Sequence, residues 1–133
     1  MRVVIDEGVP RHLVQALRER GFDASRFRRG WTSLANGQLL DAVEAEGFAV
    51  LVTDDKNIAT QQNLAKRDLA IVALPHNKRR LIIEHVDDIA DTLRRVGRGQ
   101  HVVMGLDGTR RVTWIADGRS VTEEMPPVAI FTL

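Results

Sequence analysis

Gly47-Phe48-Ala49-Val50-Leu51-Val52-Thr53-Asp54-Asp55-Lys56-Asn57 decides how this chain is read. Its apolar run from Phe48 to Val52 leaves no place for polar alternation, so a strand here is buried on both faces. Strands of that kind belong to parallel sheets, whose two sides are covered by helices. The run then passes abruptly into Thr53, Asp54, Asp55, Lys56 and Asn57. Acids thus stand where the chain leaves the sheet, at the edge where open α/β folds place their ligands.

The start of the chain repeats the pattern, since the short apolar strand Arg2 to Ile5 ends at Asp6 and Glu7. Pro10 suits the first turn of a helix with Leu13, Val14 and Leu17 on its apolar face and Gly21 closing it. Phe22 to Phe27 reads as an edge strand, and Arg28 to Ala35, with Gly30 and Trp31, as an exposed loop. Asn36 is a good N-cap for a helix whose face is Leu39, Leu40 and Val43 and whose end is Gly47. After the deciding strand come a short helix, Ile58 to Lys66, and a fully apolar strand, Ala70 to Leu74. Leu81 to Val96 reads as one long helix, with Leu81, Ile82, Val86, Ile89, Leu93 and Val96 along one side. Strands alternating with helices predict a three-layer α/β/α fold around a mainly parallel, doubly wound sheet.

From His101 onward the pattern changes. His101 to Leu106, Arg111 to Ala116 and Ser120 to Glu123 read as short strands joined by the hairpin-turn pairs Asp107-Gly108 and Asp117-Gly118. Pro126-Pro127 and an apolar Val128 to Leu133 follow. The expected division is an α/β domain over residues 1–100 and a C-terminal β-hairpin extension over 101–133. That extension is antiparallel in character and too small to be stable alone, so it extends the main sheet or packs on a partner.

A chain of 133 residues suits a single core-forming domain. The absence of cysteine excludes disulfides, thiol catalysis and Cys-based metal sites. The N-terminus meets Asp6 before a signal-length apolar segment can form, and no apolar run is long enough for a membrane span, so a cytoplasmic location is expected. A formal net charge of +1 does not by itself argue for nucleic acid. Local basic clusters do occur, at Arg26, Arg28 and Arg29, at Lys78, Arg79 and Arg80, at Arg94, Arg95 and Arg98, and at Arg110 and Arg111. Solvation of a charge-rich surface explains any one of them.

In a parallel sheet all strands point one way, so Asp6, Glu7, Asp54 and Asp55 emerge on one edge although far apart in sequence. Successive side chains alternate in direction, so one of each adjacent pair faces the centre, and Asp6 and Asp55 are the expected pair. Clustered carboxylates repel and persist where a cation neutralises them or their pKa values rise. Hard oxygen ligands suit Mg2+ or Mn2+, completed by water and phosphate oxygens, and such an ion can activate water for phosphodiester hydrolysis. Helix capping by Asp6, Asp54 and Asp55 is the competing role.

Val3-Val4-Ile5-Asp6-Glu7-Gly8-Val9-Pro10, Asn36-Gly37-Gln38-Leu39-Leu40-Asp41-Ala42-Val43-Glu44-Ala45-Glu46-Gly47-Phe48, and Val50-Leu51-Val52-Thr53-Asp54-Asp55-Lys56-Asn57-Ile58 followed by Gln61-Gln62-Asn63-Leu64 occur in order with compatible spacing. Together these motifs resemble a bacterial branch of PIN-like domain proteins, over roughly residues 1 to 97. The resemblance implies a PIN-like fold and a metal-dependent ribonuclease, as in the toxin half of many toxin–antitoxin pairs. It further implies an RNA substrate and an antitoxin protein as partners. By the likeness Asp6 matches the first-strand acid and Asp55 the acid after the central strand. Where related sequences often carry a third acid this chain has Asn36, whose amide brings no charge. Glu7 is the carboxylate that could take that place; without one, the domain is a weak or inactive nuclease that binds RNA or protein.

Asp54 and Asn57 are supporting candidates at the site, and Lys56, Arg28, Arg29 and Lys78 are candidates for RNA phosphates. Gln61, Gln62 and His76 lie nearby, with capping and solvation as their simpler roles. Trp31 offers a ring for base stacking, although packing under its loop is the simpler role. Two other classes compete. A phosphoacceptor receiver domain also places acids after its first and a later strand, but here Pro75 follows Leu74 and the Lys-Pro pair of receivers is missing. An interaction module would use its C-terminal hairpins to form a homodimer or to hold an antitoxin-like partner.

Overall fold

In the computed structural model, which describes residues 1–133, the apolar runs become β1 (Arg2–Ile5), β3 (Val50–Thr53), β4 (Ala70–Ala73) and β5 (His101–Met104), while the more polar β2 (Asp23–Arg26) takes the sheet edge. β1 to β5 run parallel. β6 (Arg110–Ala116) and β7 (Arg119–Met125) add antiparallel strands, completing a seven-stranded mixed sheet in the order β2-β1-β3-β4-β5-β6-β7. The chain steps outward from β1 to β2 and then returns past β1 to β3. That reversal opens a crevice at the carboxyl ends of β1 and β3.

Alternation along the strands divides the core into two layers. Val3, Ile5, Val50, Val52, Ala70 and Val72 face α1 (His12–Glu19), α4 (Arg79–Glu84) and α5 (Val86–Arg95). Val4, Leu51 and Ile71 face α2 (Asn36–Ala45) and α3 (Gln61–Ala65). All residues of β3 and β4 are buried, as their unbroken apolar composition requires. No helix is long and apolar enough to cross a membrane.

Several local expectations change. The expected helix from Leu81 to Val96 breaks at His85, whose ring stacks on Phe131 with centroids 3.7 Å apart. Asp87 and Asp88 then occupy the first turn of α5, where carboxylates favour a new helix start. Periodicity could not reveal the break because the apolar face continues through it. Asn36 is the first residue of α2 rather than its cap; extended Ala35 precedes it and the helix has no side-chain cap. α3 starts at Gln61, later than Ile58, because the Thr60 hydroxyl accepts the Asn63 N–H at 3.1 Å. Trp31 does not lie in an open loop. It is 8% exposed, starts a short 3-10 turn, and packs edge-on against Phe27 and Phe48, so its ring is not free for a base.

The antiparallel character begins at β6 rather than at His101, since β5 is parallel to β4. Of the two roles expected for the C-terminal strands, the structure has them extend the main sheet. Arg110, 2% exposed, anchors them: its guanidinium donates to Asp91 Oδ2 at 2.7 Å, Thr92 Oγ1 at 3.0 Å and the Pro126 carbonyl at 2.6 Å. The tail then turns back, with Val128 N–H donating to Gly108 and Phe131 N–H to Leu106. Gly108 is required there, for its φ is 88° and an added Cβ would lie 2.2 Å from the Val128 oxygen. Phe131 is buried in the main core, a contribution of about 1.5–3 kcal/mol that helps offset the ordering of the tail.

Candidate functional site at the carboxyl edge

Asp6 follows β1 and Thr53 ends the adjacent parallel strand β3, at positions whose side chains fall on the same sheet face by alternation. The buried Thr53 hydroxyl donates to Asp6 Oδ2 at 2.7 Å and accepts the Asp55 N–H at 3.0 Å. One hydroxyl therefore ties the two acid-bearing loops together. Asp6 Oδ1 accepts the Gly8 N–H at 3.1 Å, and Asp55 Oδ1 accepts the Asn57 N–H at 2.9 Å. Each carboxylate is held in a local turn by neutral donors, with lone pairs left over.

The loop after β1 is fixed from two other directions. Arg26, at the end of β2, donates to the Val9 carbonyl at 2.9 Å and the Glu7 carbonyl at 3.2 Å. Asp54 closes over Gly8 so tightly that a Cβ there would lie 2.6 Å from Asp54 Oδ1. Asp54 and Asp55 also line a cleft of about 470 Å³ with Lys56, Asn57, Leu74 and Pro75. The edge thus brings together the loops bearing Asp6, Glu7, Asp54, Asp55, Lys56 and Asn57.

None of the ion pairs in the molecule includes Asp6, Glu7, Asp54 or Asp55. No set of three or more His, Asp or Glu side chains converges closely enough to enclose a metal. The edge therefore offers a hard cation one or two carboxylates, with other oxygens needed to complete its shell.

Other candidates lie apart from this group. Asn36 is exposed at the start of α2 and Glu7 is exposed in its turn. Arg28 is drawn toward the opposite edge, where it pairs with Glu46 at 3.8 Å and lies over Phe48, just before β3 begins. Arg29 is exposed in the same loop. Lys78 is exposed ahead of α4, and its N–H donates to His76 Nδ1 at 3.0 Å, giving that histidine a turn-forming role. Thr53, Gly8 and the Arg26 clamp were not singled out by the sequence reading. A hydroxyl at the end of a fully buried strand, facing an acid on the neighbouring strand, was the available signal for Thr53.

Comparison of the chain with protein-family models, with curated proteins and with solved structures gives no match.

Proposed function

We propose that the chain is a PIN-like endoribonuclease that hydrolyses RNA phosphodiesters with Mg2+ or Mn2+ at the carboxyl edge. The supporting observation is the Asp6–Thr53–Asp55 link: two carboxylate-bearing turns joined at the reversal of strand order, with no counter-cation from the protein. Ligands of open α/β sheets favour that crevice. Asp6 and Asp55 would hold the ion, which when bound supplies charge for the phosphoryl oxygens and a more acidic water.

The chain's own groups suit the rest of the reaction. Thr53 and the Gly8 and Asn57 N–H groups orient the carboxylates, so little reorganisation is needed during reaction. Lys56, exposed beside Asp55, can draw in a phosphate. Glu7, exposed and free of ion pairs, is the carboxylate we assign to accept the proton as a water oxygen attacks phosphorus. The bond from phosphorus to the leaving oxygen breaks, and that oxygen takes a proton from solvent. The toxin role, with an antitoxin protein as partner, is part of the proposal through the family resemblance.

A second reading is a binding module without catalysis, favoured by the lack of a converging third acid and by Asn36. Cleavage of a single-stranded RNA panel in Mn2+ separates the two. Activity lost in both Asp6→Asn and Asp55→Asn supports the nuclease. RNA left intact by the wild type, with the folded protein still binding it, supports the module.

A further inference from the structure

A second cleft, of about 680 Å³, lies against β5 and β6 on the sheet face that bears Thr53 and Asp6. His101 and Val103 of β5 and Arg111 and Thr113 of β6 form its floor, while Lys56, Asn57 and Thr60 come from the chain between β3 and α3 and Gln61 from the start of α3. It shares Lys56, Asn57, Val103 and Gly105 with the cleft that holds Asp54 and Asp55, so the two adjoin. The volume is that of a small-molecule site.

Its lining selects a ligand class. No carboxylate lines it, although the chain has 18 acids against 19 lysines and arginines. Lys56 and Arg111 supply positive charge, and neither is spent on an ion pair, although Glu124 stands opposite Arg111 across the β6–β7 pair. Asp107, against the lining residues Gly105 and Thr109, accepts from the Thr109 N–H and hydroxyl and lies within electrostatic reach of Arg111. The Asn57 amide adds a paired donor and acceptor of the kind that reads base edges, and Gln61 adds its amide NH2, its Oε1 being taken by the Ser120 hydroxyl at 2.5 Å.

His101 is the second, independent observation. It is 7% exposed, lines the cleft, and its Nε2 is buried with no hydrogen-bond partner. Buried polar atoms in folded proteins are nearly all paired, so an orphan on a residue that lines a polar cleft points to a group from outside the chain, reached by a small turn of the ring.

We propose that this cleft is a nucleotide subsite, taking a ribonucleoside monophosphate unit with its phosphate toward Lys56 and Arg111 and its base toward Asn57, Gln61 and His101. The choice of a nucleotide over other phosphate esters rests on the nuclease reading of the adjoining edge. In that setting the subsite would hold RNA next to the carboxylates.

The test is calorimetric titration of adenosine 5′-monophosphate into the whole chain in EDTA, so that no metal takes part. The expected result is saturable binding, tighter than that of inorganic phosphate or adenosine, and weakened about tenfold or more in both Arg111→Gln and Lys56→Gln. Both side chains are exposed, so the variants should keep the wild-type melting temperature. Absence of binding, equal affinity for inorganic phosphate, or unchanged affinity in Arg111→Gln overturns the subsite. Mn2+-dependent RNA cleavage without nucleotide binding overturns the subsite and spares the nuclease. Nucleotide binding without cleavage upholds the subsite and removes the nuclease.

Discussion

The Thr53 hydroxyl lies 2.7 Å from Asp6 Oδ2 and donates to it, joining the ends of β1 and β3 through a side chain that is fully buried. The same oxygen accepts the Asp55 N–H, so the placement of both acid-bearing turns runs through one residue. Thr53→Val keeps the shape but removes both interactions and leaves the Asp55 N–H without its acceptor. The expected cost is about 1–2 kcal/mol in chemical denaturation. RNA cleavage should fall about tenfold or more, whereas Thr53→Ser should restore most of it. Full activity in Thr53→Val would remove the positioning role.

Gly8→Ala tests the contact between Asp54 and the first loop. An added methyl meets Asp54 Oδ1 at 2.6 Å, so the carboxylate or the loop must move. Because Asp54 is only partly buried, stability should change by about 1 kcal/mol or less. Cleavage should drop by more than that change explains, and unaltered kinetics would show that Asp54 can move freely.

Arg110 and Asp91 lock the C-terminal strands to α5. Arg110→Met removes a buried guanidinium with three kinds of acceptor and should cost about 2–4 kcal/mol in urea unfolding. Asp91→Asn should cost about 1 kcal/mol, because the Asp91 side chain is 40% exposed and solvent screens the pair.

The same pair sets part of the acid limb of stability. The Arg110 guanidinium, helped by Arg95, holds the Asp91 carboxyl below its ordinary value of 3.8. Its contribution is therefore complete above the ordinary carboxylate range and is lost as pH falls through the lowered folded value. Unfolding midpoints measured from pH 6 downward should fall less steeply in Asp91→Asn than in the wild type, and equal slopes would contradict the assignment.

His101 acts at higher pH. Burial pushes its imidazole below the ordinary value of 6.5, so the folded state favours the neutral ring. Stability tied to that ring is full above about pH 6.5 and declines as pH falls toward the lowered value. His101→Leu should flatten the stability profile as pH falls below about 6.5, and an unchanged profile would contradict the neutral assignment.

Much of the architecture was legible in the chain because parallel strands carry unbroken apolar runs. Phe48 to Val52 and Ala70 to Leu74 announced buried strands, although Ala49 is an exposed bend and the first of them runs only over Val50–Thr53, and Gly21 and Gly47, at φ of 90° and 83°, marked helix ends. The acids after β1 and β3 could be assigned to one edge because parallel strands share a direction. Three-dimensional partners were harder to read. The break at His85 depends on Phe131, distant in sequence, and the inward turn of Trp31 depends on Phe27 and Phe48. The link through Thr53 depends on the register between β1 and β3, which composition does not encode. Likewise the His101 cleft exists because β6 pairs with β5 while the loop after β3 comes alongside, and no local motif states that.

The central claim is that the carboxyl edge binds a divalent cation through Asp6 and Asp55. Titration of Mn2+ into the wild type and Asp55→Asn, followed by calorimetry together with thermal unfolding, addresses it directly. Saturable binding to the wild type is expected and, at about 100 times the dissociation constant, a stabilisation of about 2.7 kcal/mol. Both effects should be absent or strongly reduced in Asp55→Asn. A folded wild type that neither binds Mn2+ nor gains stability from it would contradict the claim.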